Sequence, residues 1–156
     1  MIWQMNTNIE IKQIPKMQLA GINSIGFQNI ASSYDKLIQW AAPKGLMTNP
    51  KMITIYYDSA KTVAHDKVRT IACLLLKEPI ETSGEVTLLT LIPGKCIVRR
   101  MELGMMEFES AWKNLFLWMQ ENEYQVSDKN PFELYHNNNQ DHPEKKFIVD
   151  LCIPVK

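Results

Sequence analysis

The sequence lacks the features that mark several large classes of protein. Its 17 basic and 17 acidic residues cancel, so no net field attracts a phosphate backbone and direct nucleic-acid binding is not expected. No uninterrupted apolar stretch approaches the roughly 20 residues that span a bilayer. The first residues, MIWQMNTNIEIK, lack the charged and apolar regions of a secretion signal. We therefore expect a cytoplasmic protein with no membrane segment.

Cysteine and glycine are also scarce. The three cysteines, Cys73, Cys96 and Cys152, are odd in number, far apart and set in apolar runs, which favours buried reduced thiols over a disulfide framework. With six glycines, the chain has no glycine-rich phosphate loop, and it has no nucleophile elbow either. The sequence therefore carries no local enzyme signature, and we expect no cofactor.

One polar segment, HNNNQDHPE, contains residue types that bind metals. They are His136, Asp141, His142 and Glu144, and their spacing matches none of the recognised zinc patterns. Three asparagines before Asp-His-Pro are first of all typical of a turn between strands. We therefore expect no metal site.

Length and periodicity indicate one domain, over residues 1–156, that contains the same order of elements twice. The first half predicts strands at 9–14 and 19–25, a helix at 28–41, and strands at 52–57 and 68–76. After a turn-rich segment, the second half predicts strands at 86–92 and 95–103, a helix at 108–119, and strands at 132–136 and 147–153. Each half follows a strand, helix, strand, strand order when the two extended segments before the helix, which a proline separates, are counted as one bent strand.

Matching residues support a duplication. At an offset of 78, Ile14-Pro15 matches Ile92-Pro93, and Tyr34, Leu37 and Trp40 match Trp112, Leu115 and Trp118. At an offset of 79, Tyr56 matches Tyr135 and Cys73 matches Cys152. We interpret the chain as tandem β-α-β-β units, about 9–77 and 85–156, related by pseudo-two-fold symmetry. The period is too long for a solenoid repeat.

The expected fold is α+β. Each helix has one apolar stripe, and the two helices are expected to bury these stripes against one face of an antiparallel sheet. The opposite sheet face and the seam between the halves are then left to form a central ligand cleft, since ligand sites favour such seams.

A carboxylate interrupts a strand-like run in the second half. In FELY, Phe132 and Leu134 face one side of the strand, while Glu133 and Tyr135 face the other. Glu133 matches Thr54 in the first half, so a charge breaks the symmetry. Facing water is one interpretation. The other interpretation is that Glu133 faces the cleft. Burying a carboxylate there costs several kcal/mol unless a hydrogen-bond donor or a cationic ligand accompanies it.

Aromatic residues are candidates to line the same cleft. Tyr135 shares the face of Glu133, and Tyr56 is its counterpart in the first half. Trp112 and Trp118 lie on the second helix, roughly opposite each other at about 100° per residue, so one indole is expected to reach the rim. Core packing is the alternative interpretation for each of these rings.

The ordered segments YDKLIQWAAPKGL, ITIYYDS, ESAWKNLFLWMQENEY, NPFELYHNN and FIVDLCIPVK resemble the GyrI-like small-molecule-binding domain, also called the AraC-type effector-binding domain. The resemblance covers residues 9–156. It implies a cleft lined with aromatic residues around an acidic residue, which in multidrug-sensing transcription regulators accepts bulky lipophilic cations. The family's acidic position matches Glu133. Two places depart from the family pattern. Met105-Met106 follow Gly104 where the family often has a proline and an aromatic residue after the glycine, and Cys96 lies where an aromatic residue is frequent.

Three functions follow from these observations. The first is reversible binding of a lipophilic, cationic or aromatic small molecule against Glu133. The second is hydrolysis of strained or alkylating compounds, with Glu133 as the general base, which some members of the family are described as performing. The third is contact with a protein partner through the cleft or an exposed sheet edge. A resemblance to gyrase-inhibitory members implies DNA gyrase as that partner, and because no helix-turn-helix segment is recognised in the chain, any transcription regulation would need a DNA-binding partner. The sequence favours no oligomeric state.

Overall fold

A computed structural model describes residues 8–59 and 62–156 of the chain. Residues 1–7, where we expect no secretion signal, lie outside the described residues. The same holds for residues 60–61, in the polar segment between two predicted strands. Within the described ranges, neither helix is long and apolar enough to cross a bilayer.

The described residues form eight strands and two α-helices, and every predicted element is present with ends that differ by at most two residues. The strands are β1 (Ile9–Ile14), β2 (Met17–Ile25), β3 (Met52–Tyr56), β4 (Arg69–Leu76), β5 (Thr87–Leu91), β6 (Gly94–Leu103), β7 (Phe132–Tyr135) and β8 (Phe147–Pro154). The helices are α1 (Ile30–Ala41) and α2 (Phe108–Glu121). The predicted α+β class is confirmed.

Local sequence signals explain where the helices begin and end. Glu107 accepts a hydrogen bond from the backbone N–H of Gly104 at 2.7 Å, just before α2, and a carboxylate in this place satisfies a free donor and suits the helix dipole. Helix α1 is followed by a short 3-10 turn (Ala42–Lys44) that contains a proline near its start. Gly45 then takes a left-handed φ of 72°, which glycine adopts without steric cost and which ends the helix.

The chain forms two compact units. Within the described residues, unit 1 contains 8–15 and 93–156, and its antiparallel strands follow the order β1-β6-β8-β7. Helix α2 covers one face of this sheet through the buried residues Ala111, Leu115 and Met119. The buried cluster consists of Ile97, Leu103, Ala111, Leu115, Met119, Val149, Leu151, Ile153 and Val155.

Unit 2 contains the described residues 16–59 and 62–92, and its antiparallel strands follow the order β3-β4-β2-β5. Helix α1 covers one face of this sheet. The buried cluster consists of Ala20, Ile22, Leu37, Ala41, Leu74, Leu76 and Val86. Leu37 and Leu115, which match at the repeat offset, are both 0% exposed at the centre of their units. Each unit is thus held by one helix packed on its own sheet.

The first strand of each predicted repeat pairs outside that repeat. Strand β1 comes from the first repeat, about 9–77, yet it pairs with β6. Strand β5 comes from the second repeat, about 85–156, yet it pairs with β2. Each unit therefore consists of one repeat without its first strand, together with the first strand of the other repeat.

We expect Leu37→Ala and Leu115→Ala to lower the free energy of unfolding by similar amounts, about 2–5 kcal/mol each, because each deletes a fully buried side chain and leaves a cavity. Leu117→Ala is the control, since Leu117 lies on the same helix as Leu115 but is 47% exposed; it should cost about 0.5 kcal/mol or less. Urea denaturation followed by circular dichroism measures all three. If either buried leucine behaves like Leu117, the two cores are not equivalent.

Candidate functional site

Strand β7 directs Glu133 toward helix α2. In the register of β7 and β8, Glu133 lies opposite Leu151 and Tyr135 lies opposite Val149, and both partners belong to the cluster packed on α2. Glu133 is 1% exposed, so the interpretation that it faces water is wrong. It lies on the helix-covered face of the sheet, not on the opposite face that we expected to contribute to a cleft.

Two neutral donors hold the carboxylate. The indole Nε1–H of Trp112 donates to Glu133 Oε2 at 2.7 Å, and the phenol O–H of Tyr135 donates to Glu133 Oε1 at 2.5 Å. Hydrogen bonds to an ionised acceptor are short and strong compared with bonds between neutral groups. Both carboxylate oxygens therefore have a hydrogen-bond donor, and both donors are neutral side chains.

Aromatic rings surround this contact on unit 1. The ring of Tyr135 lies 5.7 Å from that of Phe147, and Phe147 meets Phe108 edge to face at 5.4 Å. Trp112 lies 5.9 Å from Phe116. Phe108 and Phe116 precede and follow Trp112 by four residues, so the helical period identifies them as its neighbours. Sequence reasoning missed Phe108, Phe116 and Phe147, although this signal was present for the first two.

Unit 2 contains an uncharged counterpart of the carboxylate contact. The hydroxyl of Tyr34 on α1 lies 2.7 Å from Thr54 Oγ1 on β3, and these residues match Trp112 and Glu133 at the repeat offsets. Thr54 is 0% exposed. An aromatic helix residue thus reaches a buried polar strand residue in each unit, and only unit 1 has a carboxylate there.

The predicted site residues make different contacts within their own units. Trp112 and Tyr135 contact the carboxylate oxygens of Glu133, whereas the ring of Trp118 stacks on Tyr124 with centroids 6.0 Å apart and planes 15° apart. In unit 2, the ring of Tyr56 packs against Phe27 at 6.4 Å. A ligand role for Trp118 and Tyr56 stays a prediction.

A second polar cluster lies on the opposite face of the unit 1 sheet. Asp150 accepts hydrogen bonds from the Nε–H and Nη2–H groups of Arg100, and His136 Nε2 lies 2.8 Å from it. Burial of Asp150 raises its pKa, but the hydrogen bonds from Arg100 and His136 outweigh burial and hold the pKa below its usual value. His142 lies beside a different carboxylate, with Nε2 2.6 Å from Glu102.

The GyrI-like small molecule binding domain matches residues 7–156, nearly the whole chain. The fold and this match define the chain as a small-molecule-binding domain. It belongs to the GyrI-like family, so the resemblance seen in the sequence is confirmed.

Individual proteins of known name or structure agree with this assignment. A DNA gyrase inhibitor of Citrobacter koseri is 28% identical, over 94% of this chain and 97% of that protein. The EcmrR C-terminal domain has a TM-score of 0.74 at 19% identity, covering 95% of this chain and 96% of that chain. SAV2435 bound to tetraphenylphosphonium has a TM-score of 0.60 at 17% identity, covering 95% of this chain and 93% of that chain. The chain spans 62% of the longer EcmrR chain in a DNA complex, at 17% identity and a TM-score of 0.76. These structures share the fold.

We expect Trp112→Phe to lower the free energy of unfolding by about 1–3 kcal/mol, because it keeps an aromatic ring but takes a donor from a buried carboxylate oxygen. Trp118→Phe is the matched control on the same helix, since the indole of Trp118 stacks on Tyr124; it should cost clearly less. Urea denaturation measures both variants. Equal losses mean that the indole N–H does not stabilise Glu133.

Asp150 is expected to make the fold acid-sensitive. Its folded pKa lies below the usual 3.8, so its ionised form stabilises the fold fully above that value, and the stabilisation is lost as the pH falls through the lower folded pKa. The loss of unfolding free energy in Asp150→Asn should be about 1–3 kcal/mol at neutral pH. It should shrink between about pH 5 and about pH 2. Asp35→Asn, on the exposed side of α1, is the control. A loss in Asp150→Asn that does not change with pH contradicts the argument.

Proposed function

We propose that this domain binds lipophilic cations reversibly, with Glu133 as the counter-charge. The observation that carries the proposal is a carboxylate that is 1% exposed and held by two neutral donors, an indole and a phenol. Both donors are neutral groups, so neither of them supplies a positive charge to the carboxylate. A ligand cation near this carboxylate gains Coulomb energy in surroundings of low dielectric.

The aromatic rings supply the apolar part of such a site. Tyr135, Phe147 and Phe108 form a continuous set of ring contacts, and Tyr135 and Trp112 both contact Glu133. Ring faces attract cations by about 0.5–2 kcal/mol each, and they also cover the apolar groups of a ligand. Affinity therefore comes from apolar contact, and selectivity for positive charge comes from the carboxylate.

The start of α2 adds an adaptable surface next to these rings. Met105 is 70% exposed and Met106 is 92% exposed, and both precede Phe108 by two or three residues. Methionine side chains are flexible and polarisable, so they fit ligands of different shape. This departure from the family pattern supports a site that accepts several related ligands.

The named relatives support the proposal without deciding the ligand. SAV2435, which shares the fold, is bound to tetraphenylphosphonium, a lipophilic cation. The name of the Citrobacter koseri relative, DNA gyrase inhibitor, instead implies a protein target for that relative. Contact with a protein partner is therefore the alternative proposal for this chain.

We expect tetraphenylphosphonium to bind the wild-type protein and to bind Glu133→Gln about 10–100-fold more weakly, which corresponds to about 1.4–2.8 kcal/mol. Glutamine keeps the size of the side chain and removes its charge. Glu121→Gln, at the exposed end of α2, is the matched control and should bind normally. Isothermal titration calorimetry measures the affinities.

A neutral ligand separates charge recognition from apolar contact. Triphenylphosphine oxide should bind wild type and Glu133→Gln with equal affinity, because it lacks a cationic centre. If Glu133→Gln weakens both ligands equally, Glu133 shapes the site and does not recognise charge. Mass spectrometry of the recovered ligand distinguishes binding from hydrolysis, since a product made by wild type and not by Glu133→Gln supports the hydrolase.

A further inference from the structure

Strand β5 is the last strand in the order of unit 2, so among the described residues it pairs only with β2. An open strand edge presents backbone N–H and C=O groups to any second strand, and proteins usually protect such an edge with charges, proline or a bulge. Residues 86–92 contain no charged residue and no proline. The pairing with β2 is regular from Thr87 to Leu91. The edge of β5 therefore has none of these protections.

The outer strand of unit 1 is built differently. Strand β1 reads IEIKQI. Its charged residues Glu10 and Lys12 are exposed, and Lys12 Nζ lies 3.7 Å from Glu10 Oε2. Charges of this kind hinder the approach of a second strand. The contrast shows that this fold accommodates a protected outer strand, so nothing in the fold requires the edge of β5 to be apolar.

Large apolar side chains are exposed along the unprotected edge. Leu88 is 42% exposed and Ile92 is 53% exposed, and Thr90 lies between them on the same face by strand alternation. Covering such side chains removes apolar surface from water, which is favourable. The edge thus offers both unpaired backbone groups and apolar surface to a second strand.

The sequence of this edge is self-complementary. In an antiparallel pair centred on Thr90, Leu88 lies opposite Ile92 of a second copy, Leu89 lies opposite Leu91, and Thr90 lies opposite itself. Such cross-strand pairs of aliphatic residues and of threonines stabilise a sheet, and no like charges meet. A two-fold symmetric contact requires a surface of this kind, which matches itself.

We propose that β5 pairs with β5 of a second copy of this chain, centred on Thr90. This interface goes beyond small-molecule binding, because it is formed by a strand of unit 2, whereas Glu133, Trp112 and Tyr135 belong to unit 1. A contact made by one short strand is small, so the dimer is expected to dissociate on dilution.

Sedimentation velocity over a wide range of concentration tests the proposal. We expect wild type to change from 18.1 kDa toward twice that mass as concentration rises. Thr90→Lys and Thr90→Glu each place a like charge opposite itself and should weaken self-association at least about tenfold. An equimolar mixture of the two variants should associate again, because opposite charges then meet. Gln13→Lys, on the outer strand of unit 1, is the control and should associate like wild type.

Each result has one meaning. A wild type that stays at 18.1 kDa at every concentration overturns the proposal, even if an extended peptide from another protein binds the edge. A dimer that neither Thr90 variant weakens uses another surface and also overturns it. The proposed register is supported only if the equimolar mixture associates while each variant by itself does not. Mixing would not restore association that was lost through misfolding. Circular dichroism of each variant confirms that the secondary structure is retained.

Discussion

A carboxylate without access to water needs donors, and the geometry of unit 1 follows from supplying them to Glu133. Strand β7 contributes the phenol of Tyr135 and helix α2 contributes the indole of Trp112. The second contact requires α2 to keep a fixed position on the sheet. The buried stripe of Ala111, Leu115 and Met119 fixes that position, so the apolar core and the polar site depend on each other.

The two units carry different polar groups at matching positions of the repeat. Tyr34 and Thr54 in unit 2 repeat the contact of Trp112 and Glu133 in unit 1 with hydroxyl groups alone. A hydroxyl group donates and accepts hydrogen bonds, whereas an ionised carboxylate only accepts them and therefore needs donors on both of its oxygens. A difference at one strand position therefore replaces a contact between hydroxyl groups with a contact between an indole and a carboxylate.

Much of this fold could be predicted, because alternation and helical spacing are local properties of the sequence. Leu37 and Leu115, for example, mark the buried stripes of both helices. Alternation also grouped Glu133 with Tyr135. It did not reveal which face α2 covers, because that depends on the register between β7 and β8. The ion pair of Arg100 with Asp150 depends in the same way on the register between β6 and β8, which joins residues 50 positions apart.

The exchange of first strands has a consequence for how the protein is made. Strand β1 leaves the ribosome early, but β6, with which it pairs, is synthesised about 80 residues later. At about 5–20 residues per second, the nascent strand waits for several seconds. The alternating charges of β1 suit it to this interval, since they keep a lone strand soluble and discourage wrong partners. The polar strand β1 is thus the one that stays unpaired during synthesis. The apolar strand β5 is synthesised directly after the sheet with which it pairs.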